Sequence, residues 1–307
     1  MPHKKCLKMQ AVDRLKPLVS YGLSKHEVKS QAAAEWTVLS REAKASGRSF
    51  MSKNEYINDA LRPHIFSNET YKTYAKQNNK FFEYMEKNHP KCNTLEKCRP
   101  YCNEYLADRM SKGDSASSLK TARAAMGKLY QEPAKNFLDL PDRRRADFKR
   151  SRGEKVRDKH FSKKNNAEKI EVCRSCGFRR GEIKGAEKIQ AFYAPNKDRY
   201  YVKIINGKGG KTRLSEIVSK DPHAVTQYIN NNFNHISNAA DVHDYRADYC
   251  RRIYEKYARP IYQVPRNERY YCRGDRKGEV FDKRAMKIAS QNLGHERLNV
   301  IAQSYLR

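Results

Sequence analysis

The residues best suited to chemistry here are cations and a tyrosine spread through the second half of the chain. Arg179 and Glu182 lie in Cys176-Gly-Phe-Arg-Arg-Gly-Glu182, and Lys208 and Lys211 in Asn206-Gly-Lys-Gly-Gly-Lys-Thr-Arg213. His243 and Arg246 share His-Asp-Tyr-Arg, and Leu293-Gly-His295 precedes Tyr305 by ten residues. A guanidinium stays charged and grips two oxygens at once. Arg179 and Arg246 therefore suit the non-bridging oxygens of a phosphodiester, where charge gathers during attack on phosphorus. His243 and His295 add hydrogen bonds near neutral pH. A tyrosine hydroxyl, with a reference pKa of about 10, attacks only with a proton acceptor or a strongly cationic pocket. The leaving oxygen needs a proton, which a lysine on a hairpin delivers.

Each piece alone has an ordinary reading. Arg179 and Glu182 fit an i,i+3 helix pair. Gly-Lys-Gly-Gly-Lys fits a plain hairpin turn. His-x-x-Arg recurs by chance in a chain with 9 His and 64 Lys and Arg. A lone tyrosine is more often core than nucleophile. Their joint presence, in order, carries the weight.

The elements around them are mostly helical. Residues 1–55 form a basic, helix-prone extension containing Ser30-Gln-Ala-Ala-Ala-Glu-Trp36. Tyr71, Tyr74, Phe81, Phe82 and Met85 recur at helical spacing behind a Ser67 N-cap. Further helices are predicted over 95–112 and 116–130, so 56–140 reads as a small helical domain. Residues 141–160 form a basic linker in which Arg143, Arg144, Arg145, Lys149, Arg150 and Arg152 are placed to meet phosphates. The domain at 161–307 opens helically to about 188. Tyr200–Asn206 and Thr212–Val218 then form a hairpin with lysine at its tip, where Lys208, Lys211 and Arg213 are cations suited to phosphates. Helices follow at 222–232 and 243–258, then a loop over 259–281. Two short helices end the chain, the first closed by Gly294. The predicted class is mainly α (α+β) with one small antiparallel sheet.

Charge narrows the function. The 307 residues carry +29, with 64 Lys and Arg against 35 Asp and Glu. Such a surplus calls for a polyanionic partner, nucleic acid foremost. No long apolar run or lipidation motif supports a membrane partner, and MPHKKCLKMQ lacks the core of a signal peptide. A cytoplasmic, nucleoid-associated protein is expected. Eight cysteines, Cys173 and Cys176 among them, read as reduced thiols. A zinc site would need a second close pair, and none is obvious.

Taken in order, the four pieces resemble the catalytic domain of tyrosine recombinases, the phage integrase family. The first resembles its Gly-Leu-Arg-x-x-Glu box, the second its hairpin lysine, the third its His-x-x-Arg, and the fourth its Leu-Gly-His followed by tyrosine. Leu-Gly-His-Glu-Arg together with Ser-Tyr-Leu-Arg is similar to integrases of Gram-positive mobile elements. The resemblance covers 165–307 by motif and extends more loosely to the helical first half, which looks like a core-binding domain.

The resemblance implies a C-shaped clamp on double-stranded DNA and metal-independent strand transfer through a 3′-phosphotyrosine. A Holliday junction would form within a tetramer on two sites, with an accessory directionality factor as a further partner. Arg179, Lys208, His243, Arg246, His295 and Tyr305 would be catalytic, with Lys211 the competitor of Lys208, and Glu182 would orient neighbouring cations. No cofactor and no metal is expected, since arginines and histidines stand where a metal nuclease would cluster carboxylates. Tyr305 lies ten residues after His295 where many relatives have nine. Only Leu306 and Arg307 follow it, where many relatives continue into a helix that docks on a neighbour. Residues 1–50 are therefore expected to do part of the linking between protomers. The rival readings are a type IB topoisomerase or hairpin resolvase with the same site, a catalytically silent DNA-organising protein, and a zinc-dependent nucleic-acid binder.

Overall fold

Apolar spacing and hydroxyl caps set most of the elements. The computed structural model describes residues 5–144, 161–183, 188–205, 207, 212–233 and 235–306. The chain divides into two units, Met1–Phe148 and Lys149–Arg307.

The first unit runs α1 (Leu7–Leu15), α2 (Lys25–Ala45), α3 (Lys53–Leu61), α4 (Asn68–Asn88), α5 (Leu95–Cys98), α6 (Cys102–Ser111) and α7 (Ala116–Tyr130). Ser67 accepts a hydrogen bond from the Thr70 amide and starts α4, and Ser115 does the same for α7 from Ser118. The helix expected over 95–112 is broken at Arg99–Tyr101, a 3-10 turn that contains Pro100, because proline lacks the amide that would continue the ladder. Phe81, Phe82, Met85, Leu106, Leu119, Met126 and Leu129 form the core. Leu7, Ala11 and Leu15 of α1 join it, so the first turns of the expected extension belong to the body of this unit. By contrast α2 buries only Ala32 and Ala43 and packs on α3. Lys128 closes the end of α3 by donating to the carbonyls of Leu61, Arg62 and His64 at 2.6–2.8 Å. Burial, with Lys25 and Arg62 nearby, lowers its amine to about 8.

The second unit carries α8 (Ala167–Cys176), α9 (Arg180–Ile183), α10 (Pro222–Asn232), α11 (Val242–Tyr257), α12 (Lys283–Asn292) and α13 (Leu298–Ser304). An antiparallel sheet, ordered β1 (Ile189–Ala194), β2 (Arg199–Ile204) and β3 (Arg213–Glu216), stands between α9 and α10 in sequence. β2 and β3 are the expected hairpin, in register from Tyr201 opposite Glu216 to Ile204 opposite Arg213. Strand β1 was not expected. Only Ile189 and Ala191 face the core while Phe192 and Tyr193 are exposed, so its alternation is too short to register. The expected loop over 259–281 contains a second ladder, β4 (Arg269–Tyr271) with β5 (Val280–Asp282), whose three-residue strands leave no periodicity. Cys173 and Cys176 lie in the core with Phe178 and Ile183, and burial pushes the Cys173 thiol up to about 12. Among the described residues, no group of three or more His, Cys, Asp or Glu could hold a metal, and no helix is long and apolar enough to cross a membrane.

Candidate active site

Two helices of the second unit end on glycine, and their ends build the site. α8 stops at Gly177 in the left-handed conformation, φ +64°. A Cβ there would stand 2.2 Å from the Tyr249 ring, so both the turn and the packing require glycine. α12 stops in a Schellman motif: His295 donates its amide to Ser290 O at 2.8 Å, and Gly294, φ +63°, donates to Gln291 O at 2.9 Å. A helix C-terminus leaves carbonyls without intrahelical partners and carries partial negative charge. Here those carbonyls receive arginines.

Arg246 lies one turn into α11 with 2% of its surface exposed. Its Nη1 donates to Gly177 O, its Nη2 to Leu293 O, and its Nε to the Tyr305 hydroxyl at 3.2 Å. Burial pulls its pKa down to about 10, against a favourable pull from Tyr305. Arg179 donates Nη2 to the same Leu293 carbonyl at 3.0 Å and Nη1 to Glu182 Oε1 at 2.7 Å. Glu182 also caps the turn, because its Oε2 accepts the Arg179 amide at 2.7 Å. Burial works against this carboxylate, but Arg213, the Arg179 amide and Arg246 outweigh it and hold its pKa low.

Tyr305 follows α13 and is buried, with Leu306 packed beneath it. Its hydroxyl is 3.2 Å from His295 Nε2. The exposed His243 ring stacks on the Tyr305 ring, centroids 5.7 Å apart and planes 13° apart. His295 Nε2 is also 3.4 Å from Arg246 Nη2, and Ser290 Oγ donates to the His295 carbonyl at 2.9 Å. The tyrosine end is pinned from the β4–β5 ladder by Arg276, whose Nη1 donates to Ala302 O and, at 2.6 Å, to Leu306 O.

Arg179, Glu182, His243, Arg246, His295 and Tyr305 thus meet in one cluster. Lys208 and Lys211 lie outside the described residues, as do Arg145, Lys149, Arg150 and Arg152. Arg143 and Arg144 are exposed. Arg213, expected at DNA, does not fit that place. It is buried, and it donates to Glu182 Oε2 at 2.8 Å, to Asn292 O at 2.5 Å and to Gly177 O at 3.2 Å. Its position on the inward face of β3 turns it under the arginines. The spacing of motifs also missed Arg276 and the two carbonyls, Gly177 and Leu293. Main-chain acceptors leave no residue-type signal, although a glycine after each helix was a usable one.

What such a cluster can do follows from its charges. Guanidinium groups held on neutral carbonyls keep their positive charge for an incoming anion, and a hydroxyl between a guanidinium and an imidazole can lose its proton.

Residues 54–135 match the family model for the phage integrase N-terminal SAM-like domain. No curated protein matches the chain. A crystal structure of XerA recombinase is similar at 15% identity over 92% of this chain and 94% of that one, with a TM-score of 0.28.

Proposed function

We propose that the chain is a site-specific DNA recombinase of the tyrosine recombinase and phage integrase family, with Tyr305 as its nucleophile, a reading supported by the match of residues 54–135 to the phage integrase N-terminal SAM-like domain. One observation supports this most: Tyr305 meets Arg246, His295 and His243 in one cluster although 59, 10 and 62 residues separate them in sequence. An ordinary core tyrosine needs one hydrogen-bond partner, not a guanidinium, an imidazole and a stacked second imidazole.

In this reading Arg179 and Arg246 grip the non-bridging oxygens of the scissile phosphate and stabilise the charge that builds there. The Tyr305 hydroxyl passes its proton to His295 or to water, and the phenolate attacks phosphorus beside the Arg246 guanidinium. The phosphorus–5′-oxygen bond breaks, leaving a 3′-phosphotyrosine. Lys208, or Lys211 from the same turn, protonates the departing 5′-oxygen. A 5′-hydroxyl from a second duplex then reverses the step, which retains the bond energy without a nucleotide. Two such exchanges through a Holliday junction, in a tetramer on two sites, complete recombination, and an accessory factor would set its direction. The SAM-like first unit and the basic stretch at 141–160 hold the duplex mainly by its phosphates.

The test is covalent capture. Nicked duplexes from a randomised pool are incubated with the full chain and separated under denaturing conditions. A DNA adduct lost in Tyr305→Phe is expected. An adduct that survives in that variant overturns the assignment of the nucleophile, and no adduct with any duplex overturns the reading.

A further inference from the structure

Arg213 stands where three parts of the site meet. It is the first residue of β3, two positions beyond Lys211. Its side chain is 6% exposed, so it has no free face for DNA. Nη2 bridges Glu182 Oε2 and the Gly177 carbonyl, at the end of α8, while Nη1 takes the Asn292 carbonyl at the end of α12 and the Ser215 hydroxyl. Glu182 in turn holds Arg179 by both its amide and its guanidinium. A buried cation of this kind rarely adds stability over an apolar residue of similar volume, so its retention needs another reason.

Resting on the recombinase reading above, we propose that Arg213 is a positioning residue. It fixes the Glu182 carboxylate and through it aims Arg179 at the scissile phosphate.

The charges around Glu182 say what its loss would do. Arg213 faces the carboxylate from β3, Arg179 from its own turn and Arg246 from α11. His295 stands beyond Arg246 on the turn after α12, and the Tyr249 hydroxyl lies on α11. Burial alone favours the neutral acid. With Arg213 removed, Arg179 and Arg246 alone oppose it, and Glu182 takes up a proton nearer neutral pH. Arg179 then loses its ionic partner as pH falls.

The experiment is single-turnover adduct formation by the full chain on the captured nicked duplex, between about pH 5.5 and 8.5, a window spanning perturbed carboxylates. Arg213→Met should cleave about 10- to 100-fold more slowly at neutral pH, the scale of a misaimed catalytic group. The ratio of its rate to wild type should climb with pH. Adding Glu182→Gln should abolish that climb, and Arg213→Lys, which restores a charge, should flatten it. A ratio constant across pH, or a wild-type rate in Arg213→Met, overturns the proposal. Should Arg213→Met fail to fold, the cycle of Arg213→Lys with Glu182→Gln decides. The double variant should be no slower than Glu182→Gln alone, and additive losses overturn the proposal. Wild type forming no adduct would instead break the recombinase reading, so the two failures are told apart.

Discussion

The two units bury different things. Among the described residues, the first hides Asn78 and Arg109 as its buried polar side chains in an otherwise apolar core. The second hides Glu182, Arg213, Glu216, Arg246, Arg276 and Asp282. Apolar burial is non-directional and tolerates repacking, so the first unit is specified by volume and spacing. Buried charge tolerates only a placed partner. In the second unit Arg213 and Arg246 find theirs at glycine-ended helices, whose carbonyls accept them, while Glu182, Glu216 and Asp282 are met by cations. The difference teaches where stability and chemistry were separated: one unit is held by shape, the other holds a geometry.

Substitutions should separate the two, and the largest effect belongs to the apolar core. Phe81→Ala should cost about 3–5 kcal/mol of stability, read by denaturant unfolding, while the folded fraction cleaves at the wild-type rate. Arg246→Met should do the reverse. Adduct formation should fall about 10²- to 10³-fold, or roughly 3–4 kcal/mol, with little change in midpoint, because an apolar side chain of similar volume replaces a costly buried charge. Wild-type cleavage in Arg246→Met would end the contrast.

Gly177→Ala should lower both stability and cleavage. Left-handed strain and the clash with Tyr249 together cost about 3 kcal/mol. If the unfolding midpoint is unmoved, the glycine-ended helix is not the foundation described.

The smallest effect sharpens the view that ion pairs, too, carry fold in the second unit. Asp282 caps α12 and accepts the Arg259 side chain, which with burial opposing holds its pKa at about 2. A depressed carboxylate pKa gives stability that is complete above the unfolded value, near 4, and lost as pH falls toward 2. Acid titration of the unfolding midpoint should show about 2 kcal/mol less loss over that window in Asp282→Asn than in wild type. Identical acid profiles would show that the pair contributes nothing.

Much of the first unit could be read directly. Ser67 starts α4 where its hydroxyl cap was expected, and the period of Phe81, Phe82 and Met85 is the period of the core. The break at Pro100 was visible too, but strong apolar spacing on both sides masked it. In the second unit, β1 and the β4–β5 ladder escaped because three to six residues with mixed exposure carry no period. Of the candidate site, Arg179, His243, Arg246, His295 and Tyr305 could be picked out by type and order. Arg213 was misread because a basic residue beside a lysine turn looks like a phosphate contact until the facing of β3 is known.

By itself the sequence determined which residue types were present, which segments would be helices, and that Gly294 would end one of them, although it ran the helix before Gly177 too far. Those are local matters, settled within a few residues by sterics and caps. Only the tertiary structure decided that the ends of α8 and α12 would converge, so that the Gly177 and Leu293 carbonyls share Arg246. It likewise placed Tyr305 against His243 and His295. Main-chain acceptors are chemically identical at every residue, and which of them a buried arginine finds depends on packing between distant segments.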